Sequence, residues 1–223
     1  MEEGCTRVNE TRIKGVYWDG GRLLTRNSAP GTRVYGERLF DCDGVEYREW
    51  VPSRSKLGAY IRLGGMAVPF TPDSKVLYLG AASGTTASHV ADIVSHGTVY
   101  CVEISQRSFR DLVKVCEGRK NMVPILGDAT RPEELKFAVE SVDIVYQDIA
   151  QKNQASIFLK AMRSFGAKSG MLSLKARSED VTRDPAKLFA ESRALLESGG
   201  LKVLCMMDLS PFEKDHAMLS VVL

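Results

Sequence analysis

The stretch "YLGAASGTT" (Tyr78–Thr86) decides how this chain is read. It continues the apolar run "KVLYL" and leads into a helical pattern over 85–93. A strand, a glycine-containing turn and a helix in that order make a nucleotide-binding corner, because the turn brings backbone N–H groups and a helix N-terminus to one ligand. The loop glycines are Gly80 and Gly84. A dinucleotide fingerprint, G-x-G-x-x-G, needs a middle glycine for close approach of a pyrophosphate, and here that position is Ala82. No third glycine follows on schedule. The loop therefore suits a nucleoside ligand without a diphosphate, and S-adenosylmethionine is such a ligand.

Downstream, β-prone runs alternate with helical patterns. The strands are expected at 75–79, 98–103, 122–126, 142–147, 170–176 and 201–208, and the helices at 85–93, 105–116, 132–137, 153–165 and 185–197. Such alternation implies a parallel sheet with helices on both faces. After the sixth strand, "SPFEKD" is too short for a crossover helix, so the final "HAMLSVVL" must return antiparallel. Six parallel strands closed by one reversed strand give an α/β fold of the class I, Rossmann-like methyltransferase type, with seven strands and an antiparallel last one.

Upstream, the first 50 or so residues read as all-β. The runs "GVYW", "RLLT", "TRVYGERLF" and "VEYREW" are separated by the turn signals "DGG", "APG" and "DCDG". A helix follows over 53–63, capped by Ser53 or Ser55, with Leu57, Tyr60 and Ile61 on one face. Glycines 64 and 65 and prolines 69 and 72 break it. The expected division is a small N-terminal β domain, 1–53, and a larger domain, 54–223. Trp18 and Trp50 are expected in the core of the β portion.

The chain has 223 residues, a formal net charge of +2 and 44% hydrophobic residues, ordinary for a globular protein. No apolar stretch approaches the ~20 residues of a membrane span, and "MEEGCTRVNE" does not read as a secretory signal. Five scattered cysteines argue against a disulfide framework or a zinc site and suggest a reducing, cytoplasmic setting. A charge this near neutral is low for a protein that grips a long nucleic acid unaided.

Carboxylates fall where the expected sheet would bind a ligand. Glu103 ends the second strand, placed to accept from two ribose hydroxyls. Asp128, in "GDA", ends the third and suits an exocyclic adenine amine; "QDIAQ" (Gln147–Gln151) ends the fourth. All lie at strand C-termini, the edge where open α/β sheets hold their ligands. A nicotinamide-dependent reading shares the loop and Glu103 but gives no reason for Ala82, the reversed last strand or the "DIAQ" segment.

The blocks "YREWVPSRSKLGAYI", "KVLYLGAASGTTASHVADIV", "VYCVEIS", "DIAQKNQ" and "EKDHA" resemble the fibrillarin family, from about Val8 to the C-terminus. The resemblance implies a 2′-O-methyltransferase of box C/D guide-RNA particles, of the archaeal type, acting on rRNA or tRNA with S-adenosylmethionine. It implies a cofactor site at Gly80, Ala82, Gly84, Thr85, Thr86, Glu103, Ile104, Asp128, Ala129, Asp148, Ile149, Ala150 and Gln151. The family's Lys-Asp-Lys-His catalytic set falls on Lys56, Asp148, Lys175 and His216. Implied partners are the guide RNA, a Nop-domain scaffold protein and a kink-turn-binding ribosomal-type protein. Val51, Gly58 and Ile104 depart from the family's common Asn, Ala and aromatic residue.

Taken singly, these side chains have bland explanations: Lys56 a helix-surface lysine, Lys175 a strand-end snorkeller, His216 a turn residue. A non-catalytic particle subunit is the rival reading. His89 and His96 are expected to be structural or incidental, no metal constellation is visible, and the run Arg107, Arg110, Lys114, Arg119, Lys120 reads as a solvated helix face, with RNA or partner contact the alternative.

Overall fold

A computed structural model describes residues 8–223; what the sequence suggested for the first seven residues, Cys5 included, lies outside them. The N-terminal part is a five-stranded antiparallel sheet of β1 (Asn9–Glu10), β2 (Val16–Trp18), β3 (Leu23–Arg26), β4 (Leu39–Cys42) and β5 (Val45–Glu49), in the order β1-β2-β3-β5-β4. Cys42 pairs with Val45 across a two-residue turn whose Asp43 and Gly44 both have positive φ, the requirement of a tight hairpin. Of the run 32–40, only Leu39 and Phe40 join a strand. The Glu37 carboxylate takes the backbone N–H groups of Val34 and Tyr35 instead, a local bond that competes with a sheet ladder. Cys42 is disulfide-bonded, which corrects the expectation from cysteine scatter. Widely spaced cysteines exclude a ligand-type cluster but not a single bridge.

A 3₁₀ turn at Pro52–Arg54 precedes α1 (Lys56–Arg62), and Ser55 is the cap, its Oγ accepting from the Gly58 N–H. The second sheet contains β6 (Lys75–Leu79), β7 (Thr98–Glu103), β8 (Met122–Leu126), β9 (Ile144–Gln147), β10 (Ser169–Lys175), β11 (Lys202–Asp208) and β12 (His216–Val222). Its order is β11-β12-β10-β9-β6-β7-β8, and β12 runs antiparallel to both neighbours, as the short final connection required. Helices α2 (Thr85–Ile93), α3 (Gln106–Glu117), α4 (Gln154–Phe165), α5 (Ala176–Glu179) and α6 (Pro185–Ser198) complete the chain. The pattern at 132–137 is a 3₁₀ turn, Pro132–Leu135, that leaves Phe137 exposed. The one-turn α5 was not foreseen; four residues carry no periodicity to read.

Strand alternation divides the core in two. Leu77, Leu79, Val145 and Leu172 pack with Phe158 of α4 and Leu196 of α6. Val76, Tyr78, Tyr146 and Met171 pack on the other side with α2, α3 and residues of the N-terminal sheet, including Val16 and Trp50. Trp50 is fully buried, whereas Trp18 is half-buried under the Arg62 guanidinium, 4.7 Å from its ring centre.

The two sheets are joined by a buried ionic cluster. The Arg48 side chain, wholly excluded from solvent, donates to Glu37 (Nη1, 2.6 Å), Asp92 (Nε, 2.6 Å) and Ser88 (Nη2, 2.6 Å). Asp92 also accepts from Thr25 Oγ1 and from Ser28. His89 bridges Thr25 and Tyr35 and stacks on Trp50 at 4.8 Å. Burial, then the charges of Arg48 and Arg119, push the His89 pKa well below its ordinary value. Arg119 itself is buried, which corrects the reading of the 107–120 run as uniformly solvated: Arg107, Arg110, Lys114 and Lys120 are exposed, but Arg119 follows the end of α3 and turns inward.

Two outcomes follow from this cluster. Arg48→Met leaves Glu37 and Asp92 buried without their cation, and chemical denaturation should show a loss of about 3–5 kcal/mol. Because the fold accepts only neutral His89, the unfolded chain takes up the proton first as pH falls. Its contribution is therefore intact above about pH 6.5 and declines below it. Unfolding midpoints of His89→Gln between pH 7 and 5 should fall less steeply than those of the parent chain.

Candidate active site

The C-terminal ends of β6, β7, β8, β9 and β10 meet along one edge of the second sheet. Gly80, just after β6, has φ +84°, and a Cβ there would lie 2.4 Å from the Asp148 carbonyl oxygen. Gly84 has φ +91°, and its Cβ would press at 3.2 Å on Leu112 and Val115 of α3. Both glycines are thus imposed by the fold. Ala82 between them is also left-handed, φ 48°, an unfavourable posture for a residue with a Cβ. Its N–H donates to Glu103 Oε2 at 2.8 Å.

Glu103 ends β7 with a buried side chain, and Oε1 accepts from the Ser105 N–H at 2.7 Å. A carboxylate offers about four acceptor positions. Two are taken by backbone, one on each oxygen, and one remains on each for a vicinal diol. Ile104, 64% exposed, offers an apolar surface beside it. Past β8, Asp128 Oδ1 accepts from the Thr130 N–H at 2.8 Å, leaving Oδ2 for an amine donor. Ala129 and Ile149 are buried, Ala150 is exposed and Gln151 half-buried. This donor and acceptor set, with a glycine turn that leaves no room for a Cβ, fits an adenosyl ligand.

Asp148 follows β9, its backbone N–H donating to Leu79 at 2.9 Å. Its carboxylate lies between two ammonium groups: Lys175 Nζ is 3.0 Å from Oδ1 and Lys56 Nζ 3.4 Å from Oδ2. Each lysine is held in place by its neighbours, and for Lys175 the neighbour, Gln154, is one that the sequence reading did not single out. Lys175 ends β10, and the Gln154 amide brackets its backbone, Oε1 accepting from its N–H (2.9 Å) and Nε2 donating to its carbonyl (3.0 Å). Gln147 Nε2 in turn donates to the Gln154 carbonyl. Lys56 follows the cap Ser55, whose Oγ accepts from Thr86 Oγ1 at 3.0 Å, so the first turns of α1 and α2 are tied together. Thr85 is half-buried beside it. The signal for Gln154 was present, since it closes the "DIAQKNQ" block.

His216 starts β12 directly opposite Lys175. Among the described residues, its ring bonds the Lys214 carbonyl (Nδ1, 2.7 Å) and not Asp148 or either lysine. A carbonyl only accepts, so Nδ1 carries a proton. Three of the four expected catalytic side chains therefore form one ion-paired set, with His216 adjoining through the strand register. A carboxylate beside two ammonium groups can align a hydroxyl, take its proton and offset developing negative charge.

A seven-stranded sheet with a reversed last strand and ligand loops along its C-terminal edge defines the class I methyltransferase type of Rossmann-like fold. The family follows from direct comparison. The chain belongs to the fibrillarin family, whose model matches residues 8–223. It is 49% identical over 206 residues to the fibrillarin-like rRNA/tRNA 2′-O-methyltransferase of Methanothermobacter thermautotrophicus, covering 92% of each chain. The fibrillarin of Aeropyrum pernix, solved with natively bound S-adenosyl-L-methionine, is 43% identical with a TM-score of 0.88, over 97% of this chain and 98% of that one. Fibrillarin from a fibrillarin/Nop5p complex is 41% identical with a TM-score of 0.84, over 94% and 97%.

Glu103→Ala removes the acceptor of two backbone N–H groups that set the loop. Urea unfolding should show a loss of about 1–3 kcal/mol, with Glu103→Gln, which keeps one acceptor, falling between.

Proposed function

We propose that this chain is an S-adenosylmethionine-dependent RNA 2′-O-ribose methyltransferase, the catalytic subunit of a box C/D guide-RNA ribonucleoprotein modifying rRNA and tRNA. The observation that carries the reading is the Asp148 carboxylate set between Lys175 and Lys56 at the edge that bears the Gly80 turn. The close, nearly full-length relatives named above support it.

In this reading the cofactor, when bound, supplies an electrophilic methyl group. Gly80, Ala82 and Gly84 shape its cradle, and Thr85 and Thr86 face it from the first turn of α2. Glu103 takes the ribose hydroxyls, Ile104 lies along the adenosine, and Asp128 and Ala129 meet the base. Asp148, Ile149, Ala150 and Gln151 close the methyl-bearing side. Asp148 orients the target 2′-hydroxyl and accepts its proton, while Lys175 holds the charge that builds on the oxygen. Lys56 and His216 position the target ribose and its phosphate.

The small sheet, in the proposed division at residue 53, serves as the frame on which α2 is set. The proposed partners are the guide RNA with its target, a Nop-domain scaffold protein and a kink-turn-binding ribosomal-type protein. The Nop5p complex of a relative supports the scaffold. No helix among the described residues is long and apolar enough to cross a membrane, in keeping with the cytoplasmic location we propose.

The test is transfer of labelled methyl to a guide-matched RNA in the reconstituted particle, beside a substrate with 2′-deoxy at the target nucleotide. Only the ribo substrate should be labelled. Asp148→Ala should lower the rate about 10²–10⁴-fold while particle assembly is unchanged. Assembly and cofactor binding without labelling of either substrate would establish a structural subunit instead.

A further inference from the structure

Beside the turn that carries Ser83 and Thr85, an open cavity of about 480 Å³ lies between the loop 32–35 that follows β3, α3 and the start of α2. Four cations contribute to its wall, Arg33, Arg54, Lys114 and Arg119, against one carboxylate, Asp111. Asp111 is spent in part on Lys114, 3.0 Å away. Arg33, Arg54 and Lys114 are exposed. Arg119 is the exception: it is 1% exposed, and its Nη2 donates to Asn27 Oδ1 at 3.3 Å. Its Nε and Nη1 are buried without a hydrogen-bond partner.

A buried guanidinium with two unmet donors is a costly arrangement unless an acceptor reaches it. Arg48, also buried, shows the contrast, with every guanidinium nitrogen bonded. Glu37 and Asp92 are committed to Arg48 and do not hydrogen-bond Arg119. A wall with three cations in excess of carboxylates and unmet N–H groups beneath it matches a phosphate, which presents several acceptor oxygens to a guanidinium fork.

We propose that this cavity, which adjoins the cofactor loop at Ser83 and Thr85, is an anion site that seats a phosphate of the RNA strand brought to the active site. Assigning the anion to RNA rests on the functional reading above. Position favours it over an acidic polypeptide. Arg54 is two residues before Lys56, and Thr85, which lines the cavity, adjoins the Thr86 that is tied to Ser55. A strand seated here runs toward the side where Lys56 meets Asp148.

The test follows the Arg119 Nε–H resonance in the full-length chain labelled with ¹⁵N-arginine, identified by its disappearance in Arg119→Lys. The chain is titrated with a single-stranded RNA pentamer, with inorganic phosphate and with a pentaglutamate peptide. The resonance should move saturably with the pentamer, and Arg33→Gln/Lys114→Gln should weaken that binding roughly tenfold, the scale of one lost charge-assisted contact. Both replaced residues are exposed, so the fold is not at stake. The salt slope of pentamer binding should also flatten by about 0.7 per lost phosphate contact. An unmoved resonance, unchanged pentamer binding in the double variant, or stronger binding of free phosphate or the peptide each overturns the proposal. Cofactor binding and methyl transfer, measured separately, report on the functional reading, so its failure is distinguishable from failure of this site.

Discussion

One arm of the active edge, the one that ends on Lys56, is referred back to a single buried cation. Arg48 leaves the middle of β5, is shielded completely from water and ends on Glu37 of its own sheet and on Asp92 and Ser88 of α2. That bonding fixes α2 against the N-terminal sheet. The first turn of α2 then carries Thr86, which holds Ser55, the cap of α1, and the residue after the cap is Lys56. A chain of short polar contacts thus runs from the core of the small sheet to an ammonium group beside Asp148. Buried pairs add less to net stability than a good apolar substitute would, but their geometry is strict. Here that strictness fixes where a lysine from one part of the chain meets a carboxylate from another.

The second arm of the site is built differently. Asp148 and Lys175 sit at the ends of adjacent parallel strands; the ladder aligns Leu172 with Gln147, so Lys175 lies two residues beyond the position opposite Asp148 and its long side chain closes the gap to the carboxylate. Gln154 removes the remaining freedom by hydrogen-bonding both backbone polar groups of Lys175, and Gln147 anchors Gln154 from inside the sheet. The absence of a side chain at Gly80 completes the arrangement, since the Asp148 carbonyl occupies the place a Cβ would need. One turn is therefore both the ligand loop and the surface on which the reacting carboxylate is seated.

The parts of this architecture legible in sequence were those written in local patterns. The alternation of β-prone runs with helical stretches gave every strand of the larger sheet to within a residue or two, and the shortness of "SPFEKD" gave the reversal of β12. The glycine turn and the carboxylates at strand ends marked the edge where the ligand corner lies. What escaped were features that depend on distant contacts. The loop at 32–36 has strand-like composition, yet Glu37 captures its backbone because Arg48 and two N–H groups outweigh the cost of burying that carboxylate. Arg119 looks like its exposed neighbours along the chain and becomes a buried charge only through the fold. Gln154 reads as an ordinary helix-start residue until β10 is laid beside it. Resemblance supplied the grouping of Lys56, Asp148, Lys175 and His216, which no spacing in the chain discloses.

The distribution of charge bears on how such an enzyme holds its substrate. With a net charge of only +2, the chain has no broad cationic field, and nucleic-acid affinity built from many phosphate contacts requires one. Within the ion-paired set, two lysines share one carboxylate, leaving a single local excess of positive charge for an incoming strand. Several other cations are likewise paired: Arg48 with Glu37 and Asp92, Arg177 with Asp215, Arg193 with Glu197. Beyond the cavity walled by Arg33, Arg54, Lys114 and Arg119, a surface organised this way is better suited to aligning a ribose than to capturing a long RNA. Under the proposed function, capture and register then fall to the guide duplex and its scaffold, and the rigid corner described here spends its few charges on orientation, where an ångström of misplacement costs more than a loss of affinity.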